Sequence, residues 1–593
     1  MRRRELFAGL AVAALAWDAP SMATARVMRR VRPGDAGWPS ATEWDALRTQ
    51  VGGNLLQPTS LYGSCTTDVA SAACRALLPN LRNPFYIGDQ AGGTQVTGWL
   101  DAWQPSVSPY AVAAHTTADV VAAVNFARRH NLRVAVKGGG HSYQGTSNAP
   151  DSLLIWLHPM KTVTMHDAFT PQSGGEAVPA ATIEAGALWI HAYDAVTVQG
   201  GRYVQGGGCT TVGVAGHIQS GGYGSFSKGF GSAASNLLEA EVVTADGRVV
   251  ICNERRNSDL FWALKGGGGG SFGVVTRVTV RTHPLPQNFG WASGKIKASS
   301  DAAYKRLIAQ FVAFYAEKLF NPHWGEQIHL GPDNALELSL VSQGLSESES
   351  NALFAPFFAW VAAAGGDYAI TDEIDVGAVD ARRWWDVDFH RANTQSMRFD
   401  GRPGAPSHNA WWRGDGDQVS MFIHAYDSIW LPQALLAAVQ QAKLVDALYA
   451  ASREYSLGIH FNKGLAGGDE AAQARARNTA TNPGSVDAFA LVIVATGGAP
   501  PYLHIPGYEA DPAKQQRDKA AIARASAAVR VAGDEGSYVS ESDYFNAAWQ
   551  TAFWGENYPR LKAIKRRYDA DGMFIVHHGV GSEDWSADGF TRA

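Results

Sequence analysis

Residues 200–224 read GGRYVQGGGCTTVGVAGHIQSGGYG. Ten of these 25 residues are glycine, Arg202 alone carries a formal charge, and a cysteine, Cys209, sits in the middle. Every glycine fixed in a helix or strand costs backbone entropy, so a chain that keeps this density needs bare backbone close to something flat or anionic. A second stretch of the same kind precedes it, VKGGGHSYQG at residues 136–145. The pair reads as a cofactor cradle of two loops, each carrying one nucleophilic side chain, His141 and Cys209. Thiolate and imidazole are the side chains best able to attack an electrophilic ring and stay bonded to it.

The pattern around the loops is α/β. Thr116-Thr-Ala-Asp119 is a capping box, and Val120, Val124 and Ala127 follow on one helical face. Leu132, Val134 and Val136 alternate as a strand that runs into Gly138-Gly-Gly-His141. A strand-helix-strand unit ending in such a turn suits an anion, because bare N–H groups can point at phosphate. Further strands are expected at 110–114, 153–156, 182–184, 238–244 and 273–280. From about residue 284 the composition shifts to helices at 302–319, 351–364 and 435–451 among strands at 328–330, 336–340, 418–425 and 488–494. That alternation predicts an antiparallel sheet carrying helices, a second domain. A short helix at 560–567 and a closing run at 573–581 end the chain.

The chain has 593 residues, and about 150 residues per domain suggests three or four domains. It is 46% hydrophobic and 18% charged, which gives a globular protein ample core. The net charge of −5 comes without a basic stripe, which argues against nucleic acid as a partner. The 19 tryptophans suit a sugar or aromatic pocket as well as ordinary core.

The first residues read as a leader. Arg2-Arg-Arg4 is basic, residues 6–16 are apolar but too short to span a bilayer, and Ala23-Thr-Ala25 offers a cleavage site. Arg3-Arg4-Glu5-Leu6-Phe7 is similar to a twin-arginine export motif, so residues 1–25 are expected to be a signal peptide and the mature chain periplasmic or secreted. No later segment has 18 uninterrupted apolar residues, so stable membrane insertion is not expected. Residues 26–35 read as a mobile leader, and Ser40 with Glu43 caps a helix stopped by Gly52-Gly53. In an oxidising compartment Cys65 and Cys74 could pair, whereas Cys252 lies in a strand-like run and reads as buried and inert.

Gly268-Gly-Gly270-Ser-Phe-Gly273 matches G-x-G-x-x-G as a string. It follows a helix and enters a strand, the reverse of a dinucleotide-binding turn, which excludes NAD there. No G-x-x-x-x-G-K-[ST] is present. His577-His578 could suggest a metal, yet neighbours in a strand point to opposite faces, so no metal site is expected.

Lys137-Gly-Gly-Gly-His141, Gly207-Gly-Cys-Thr-Thr-Val-Gly-Val-Ala-Gly-His217 and Ser220-Gly-Gly-Tyr-Gly224 resemble the FAD-binding loops of the berberine bridge enzyme-like group of the vanillyl-alcohol oxidase superfamily. Residues 259–276 resemble its third FAD segment, and Tyr544-Phe-Asn546 with the stretches 554–558 and 565–569 its C-terminal segment. The resemblance implies an α+β fold: a two-part, PCMH-type FAD-binding domain at 105–285 and 536–593, with a substrate domain at 286–535 inserted and an N-terminal extension at 26–104. It implies FAD bonded through His141 to the flavin 8α-methyl and through Cys209 to flavin C6. Lys137, Gly138, Gly139, Gly140 and Ser142 would cradle the pyrophosphate side, and Gly213, Gly216, His217, Gly221, Gly222, Gly273, Val275 and Asn546 would complete the cofactor site.

Val212 matches a position where valine goes with access of dioxygen in this family, which favours an oxidase over a dehydrogenase. Tyr544 matches the tyrosine that takes a hydroxyl proton in the carbohydrate oxidases of the group, with His424, His460 and Asp543 as candidate helpers. The expected reaction passes hydride from a hydroxyl-bearing carbon to flavin N5, and dioxygen becomes hydrogen peroxide. A sugar or oligosaccharide is the first substrate class; a small alcohol or a phenolic or alkaloid-like compound is the second. A non-oxygen acceptor, as in a dehydrogenase, and a flavoprotein fold kept only for carbohydrate binding are the alternatives.

Overall fold

The computed structural model describes residues 28–501, 505 and 508–592. The expected signal peptide, residues 1–25, lies outside the described residues. Three main sheets organise the chain.

The first sheet is mostly parallel, in the order Leu55–Leu56, Tyr110–Ala113, Ser152–Trp156, Arg133–Lys137. Thr116 and Asp119 form the expected capping box on the helix Thr117–Arg129, which packs Val120, Val124 and Ala127 into the core. The second sheet is antiparallel, in the order Val249–Asn253, Leu237–Val243, Val274–Pro284, Val178–Glu184, Val163–Phe169. Both contribute to one core, which the C-terminal segment joins through Trp549, Phe553, Trp554, Leu561, Ile564 and Phe574. Trp554 Nε1 donates to Gly266 O at 3.0 Å, and the buried Lys565 ammonium donates to the carbonyls of Ser271 and Phe574 and to Asp569, each at 2.6 Å. These bonds tie residues distant in sequence to the 266–273 loop.

The third sheet belongs to the inserted region. Its order is Tyr368–Asp380, Asn288–Ala298, Ala335–Gln343, Trp324–Leu330, Leu457–His460, Ala488–Gly498, Met421–Pro432, Val96–Trp99, antiparallel except for the last pair. Side chains alternate between faces along each strand. Ile328, Leu330, Leu338, Leu340, Leu457, Ile459, Val492 and Val494 pack under the helices Asp301–Phe314, Glu347–Ala363, Ala438–Glu454 and Pro512–Arg530. The intervening Gln327, His329, Ser339, Val341, Gly458, His460, Ile493 and Ala495 face a cavity instead. Glu326 adopts φ 60°, which breaks the alternation so that Glu326 and Gln327 both reach that cavity.

The structure redraws three expectations. Residues 28–104 are no appendage: Trp44, Leu47, Val51, Leu55 and Phe85 enter the first core, and Val96–Trp99 extends the inserted sheet. The described part of the expected mobile leader is held as well, with the buried Arg30 side chain donating to Leu132 O and Gly572 O. Within the inserted region, Trp385, Val387, Met397, Ala410 and Trp411 pack on the core of the first two sheets rather than under the helices. Cys65 and Cys74 form a disulfide, and Cys252 is buried in the strand Val249–Asn253. Among the described residues no helix is long and apolar enough to cross a membrane.

Candidate active site

The two glycine-rich loops meet backbone to backbone. A Cβ at Gly139 would stand 2.6 Å from Gly213 N, and one at Gly213 would stand 2.7 Å from Gly139 N. This close approach, which a side chain would block, is why glycine occupies both positions. It brings His141 and Cys209 to one cavity of about 980 Å³ between the first two sheets and the inserted one.

Thirteen of the expected cofactor-site residues line it: Lys137, Gly138, Gly139, Gly140, His141, Ser142, Cys209, Val212, Gly213, Gly216, His217, Gly273 and Val275. The Gly268-Gly-Gly270 turn lines it too, after the helix Ser258–Leu264 and before the strand Val274–Pro284. A Cβ on Gly216 or Gly269 would meet nothing within 4 Å. Both face open space where a ligand can lie against backbone.

Several expected residues serve other ends. The Lys137 ammonium donates to the carbonyls of Gln90, Ala91 and Gly93, and burial pushes it down to about 7. Its role is to clamp the loop. Gly221 and Gly222 adopt φ 104° and 73° and form the turn after the Cys209 loop, where a Cβ on Gly222 would strike His217 Nδ1 at 2.7 Å. His217 spends both nitrogens on protein, accepting from Trp189 Nε1 at 3.2 Å and lying 3.1 Å from Tyr223 O.

The C-terminal segment meets the cavity in a different register from the expected one. Tyr538, Val539, Ser540 and Glu541 line it. Tyr544 does not: its ring stacks on His577 at 3.7 Å and packs beside Trp99. Asn546 accepts from Ala548 N and shapes a local turn. Of the candidate helpers, His460 is on the wall, while His424 is paired with Asp518 at 2.7 Å and Asp543 accepts from Phe545 N. The run 573–581 is not a strand, so His577 and His578 do not oppose each other; their rings stack at 3.8 Å. Among the described residues no cluster has the makings of a metal site.

The wall around Cys209 is rich in charge that the sequence did not reveal. Cys209 Sγ donates to Asp415 Oδ1 at 3.1 Å. Burial, then the Asp415 charge and its hydrogen bond, raises the thiol well above its usual range. Asp415 itself is pushed up to about 6, chiefly by burial. Glu326 accepts from Ser225 and Asn462, and burial raises it as well. Lys463 pairs with Glu541, and Tyr143 donates to Gln418 Oε1 at 2.8 Å. Burial, then the charge of Glu541, raises both Tyr143 and Tyr426 well above the ordinary phenol value. His141 is pushed down to about 4 by burial, so its ring is neutral, with Nε2 at 3.2 Å from Thr211 Oγ1.

Sequence comparison names the class that this fold and cavity define. Residues 108–253 match the family described as FAD binding domain, and residues 536–581 the family described as berberine and berberine like. Over 603 residues the chain is 30% identical to FAD-linked oxidoreductase notD of Aspergillus sp., covering 94% of this chain and 89% of that one. It is 29% identical over 590 residues to the VAO-type flavoprotein oxidase VAO615 of Thermothelomyces thermophilus, covering 95% and 94%. The solved structure of VAO-type flavoprotein MtVAO615 from Myceliophthora thermophila superposes with a TM-score of 0.78 at 27% identity over 95% of this chain and 100% of that one. A glucooligosaccharide oxidase from Acremonium strictum, whose FAD is described as 6-S-cysteinyl, 8α-N1-histidyl, shares the fold at a TM-score of 0.63 and 20% identity over 88% and 99%. The chain belongs to the VAO-type FAD-linked oxidoreductases with a berberine-like C-terminal segment, and is an FAD-dependent oxidoreductase.

The residues present fit FAD. Glycine backbone from three loops lines the cavity, whose volume of about 980 Å³ has room for a large ligand. His460 Nδ1, Asn462 Oδ1 and His578 Nδ1 are buried on its wall with no hydrogen-bond partner in the protein. Buried polar atoms of this kind call for a polar occupant.

Proposed function

We propose that this enzyme is an exported oxidase that holds FAD by two covalent bonds, through His141 and Cys209, and oxidises a hydroxyl group of a sugar, oligosaccharide or other alcohol with release of hydrogen peroxide. The observation that carries the reading is the placement of His141 and Cys209 on one cavity by loops in backbone contact at Gly139 and Gly213. The same pair of residue types holds FAD in the glucooligosaccharide oxidase that shares this fold. Thr211 Oγ1, 3.2 Å from His141 Nε2, helps hold the ring on the cavity wall.

When bound, FAD supplies the hydride acceptor and the route of electrons to dioxygen. The chain's own residues then position the alcohol and manage its proton. Trp384 and Trp412, with ring centroids 5.9 Å apart, give the wall two broad apolar faces that suit a sugar. Tyr426 keeps its proton and can donate to a substrate oxygen, while Tyr143 spends its own on Gln418. The hydroxyl proton passes to Glu541, which Lys463 holds in place on the cavity wall. A carboxylate within hydrogen-bond reach is competent for this transfer. Val212 on the wall and the Cys65–Cys74 disulfide accord with access of dioxygen and with an oxidising compartment.

A screen of mono- and oligosaccharides and simple and aromatic alcohols, read by peroxide release, tests the reaction. Turnover with a sugar hydroxyl and stoichiometric peroxide is the expected result. Turnover only with an artificial electron acceptor would replace the oxidase by a dehydrogenase.

A further inference from the structure

Asp415 is 206 positions from Cys209 in sequence, in the short turn Arg413–Gln418 of the inserted region, yet it touches the cysteine sulfur. Its Oδ1 takes the thiol hydrogen bond, and both residues lie on the cavity wall beside the glycine bed. Glu326 comes within 3.2 Å of where a Cβ on Gly208 would stand, so a second acid flanks the same loop and disfavours a free thiolate. A sulfur in these surroundings keeps its proton until a base in direct contact removes it.

We propose that Asp415 is the base that attaches the cofactor: it takes the Sγ proton of Cys209 as sulfur bonds carbon 6 of the isoalloxazine. The inference rests on the bicovalent reading above. In the balanced step the S–H and the C6–H bonds break and one C–S bond forms. Asp415 accepts the sulfur proton, and the C6 hydrogen leaves as a proton to solvent. The two electrons released pass into the ring system and on to dioxygen, which with the two protons becomes hydrogen peroxide. The inserted region therefore does more than bind substrate; it completes the site that loads the cofactor.

The experiment uses the full chain expressed with FAD, digested and read by mass spectrometry for flavin on the peptides holding residues 141 and 209. Wild type carries one flavin joining both peptides. Asp415→Asn keeps the shape and a hydrogen-bond acceptor but makes a poor base, so flavin remains on His141 and the Cys209 bond forms at least ~100-fold more slowly, the lower range for loss of a general base. Retention of flavin on His141 shows that the variant has folded and bound cofactor. Asp415→Glu retains a carboxylate and regains the Cys209 bond. Cys209 fully linked in Asp415→Asn at the wild-type rate overturns the assignment. So does a glutamate variant as defective as asparagine, which would mean fit rather than proton transfer. If asparagine gives no soluble protein, the glutamate variant decides alone: linkage supports the base, no linkage overturns it. Wild type with no flavin on Cys209 sinks the bicovalent reading itself, a result separable from either variant's behaviour.

Discussion

Glu541 and Tyr544 lie three positions apart, and only Glu541 lines the cavity. Tyr544→Phe is therefore expected to leave kcat within about 3-fold of wild type, because Tyr544 does not line the cavity. Glu541→Gln should lower kcat by roughly 10²–10⁴, the usual range for a general base. Steady-state kinetics on the best substrate from the screen check both, and equal losses in the two variants would restore Tyr544. The residues that could be read from sequence were those whose chemistry is declared by their neighbours. His141 and Cys209 stand in glycine, and little except a close ligand explains that setting. Tyr544-Phe-Asn546 does not line the cavity, whereas Tyr538-Val-Ser-Glu541, six residues earlier with the same aromatic-x-polar string, does. Only the three-dimensional path shows which one meets the cavity. Asp415 left no trace in the sequence, since Arg413-Gly-Asp-Gly-Asp-Gln418 reads as an ordinary turn.

At the scale of elements, two contacts hold the loops and sheets in place. Gly213→Ala forces a methyl to within 2.7 Å of Gly139 N, so the loops must part. The purified variant should carry much less flavin than wild type, measured as the ratio of visible to protein absorbance; full loading would refute the backbone contact. Lys228, in the turn Ser227–Phe230, donates to the carbonyls of Gly464, Ala466 and Phe489 and so binds the FAD side to the inserted region. Burial pushes its ammonium down to about 7, and three carbonyls still claim it. Lys228→Met strips them of their donor and should cost about 2–3 kcal/mol of stability, seen as an earlier denaturant midpoint. The strand Arg133–Lys137 was legible from the alternation of Leu132, Val134 and Val136. The run 573–581 was not, because its apolar residues mimic a strand although Lys565 and Asp569 fold it into turns. The consequence was local but real: His577 and His578 form a ring stack rather than facing apart.

Over the whole molecule, burial of neutral histidines sets the response to acid. Burial pushes His217 down to about 4 and His191, His283 and His578 to about 3, from an ordinary value of 6.5. Below 6.5 the unfolded chain binds protons that the folded chain refuses, so stability present above that pH is lost as pH falls towards 3 or 4. Asp415 and Glu326, raised by burial, act the other way but are outnumbered. Denaturant midpoints should fall steadily from about pH 7 to about pH 4, and a flat profile would contradict the buried neutral histidines. The two-part architecture was legible because the glycine loops, the inserted α+β stretch and the C-terminal helix follow one another in order. Residues 28–104 were not, since their short helices and strands carry no long period, and what fixes them is contact with strands far along the chain. The central claim is that His141 and Cys209 both hold the cofactor. The most direct test is in-gel flavin fluorescence of acid-denatured protein, with wild type beside His141→Ala, Cys209→Ala and the double variant. Fluorescence that stays with wild type and both single variants and disappears only in the double variant is the predicted result; a denatured wild-type chain without flavin would contradict it.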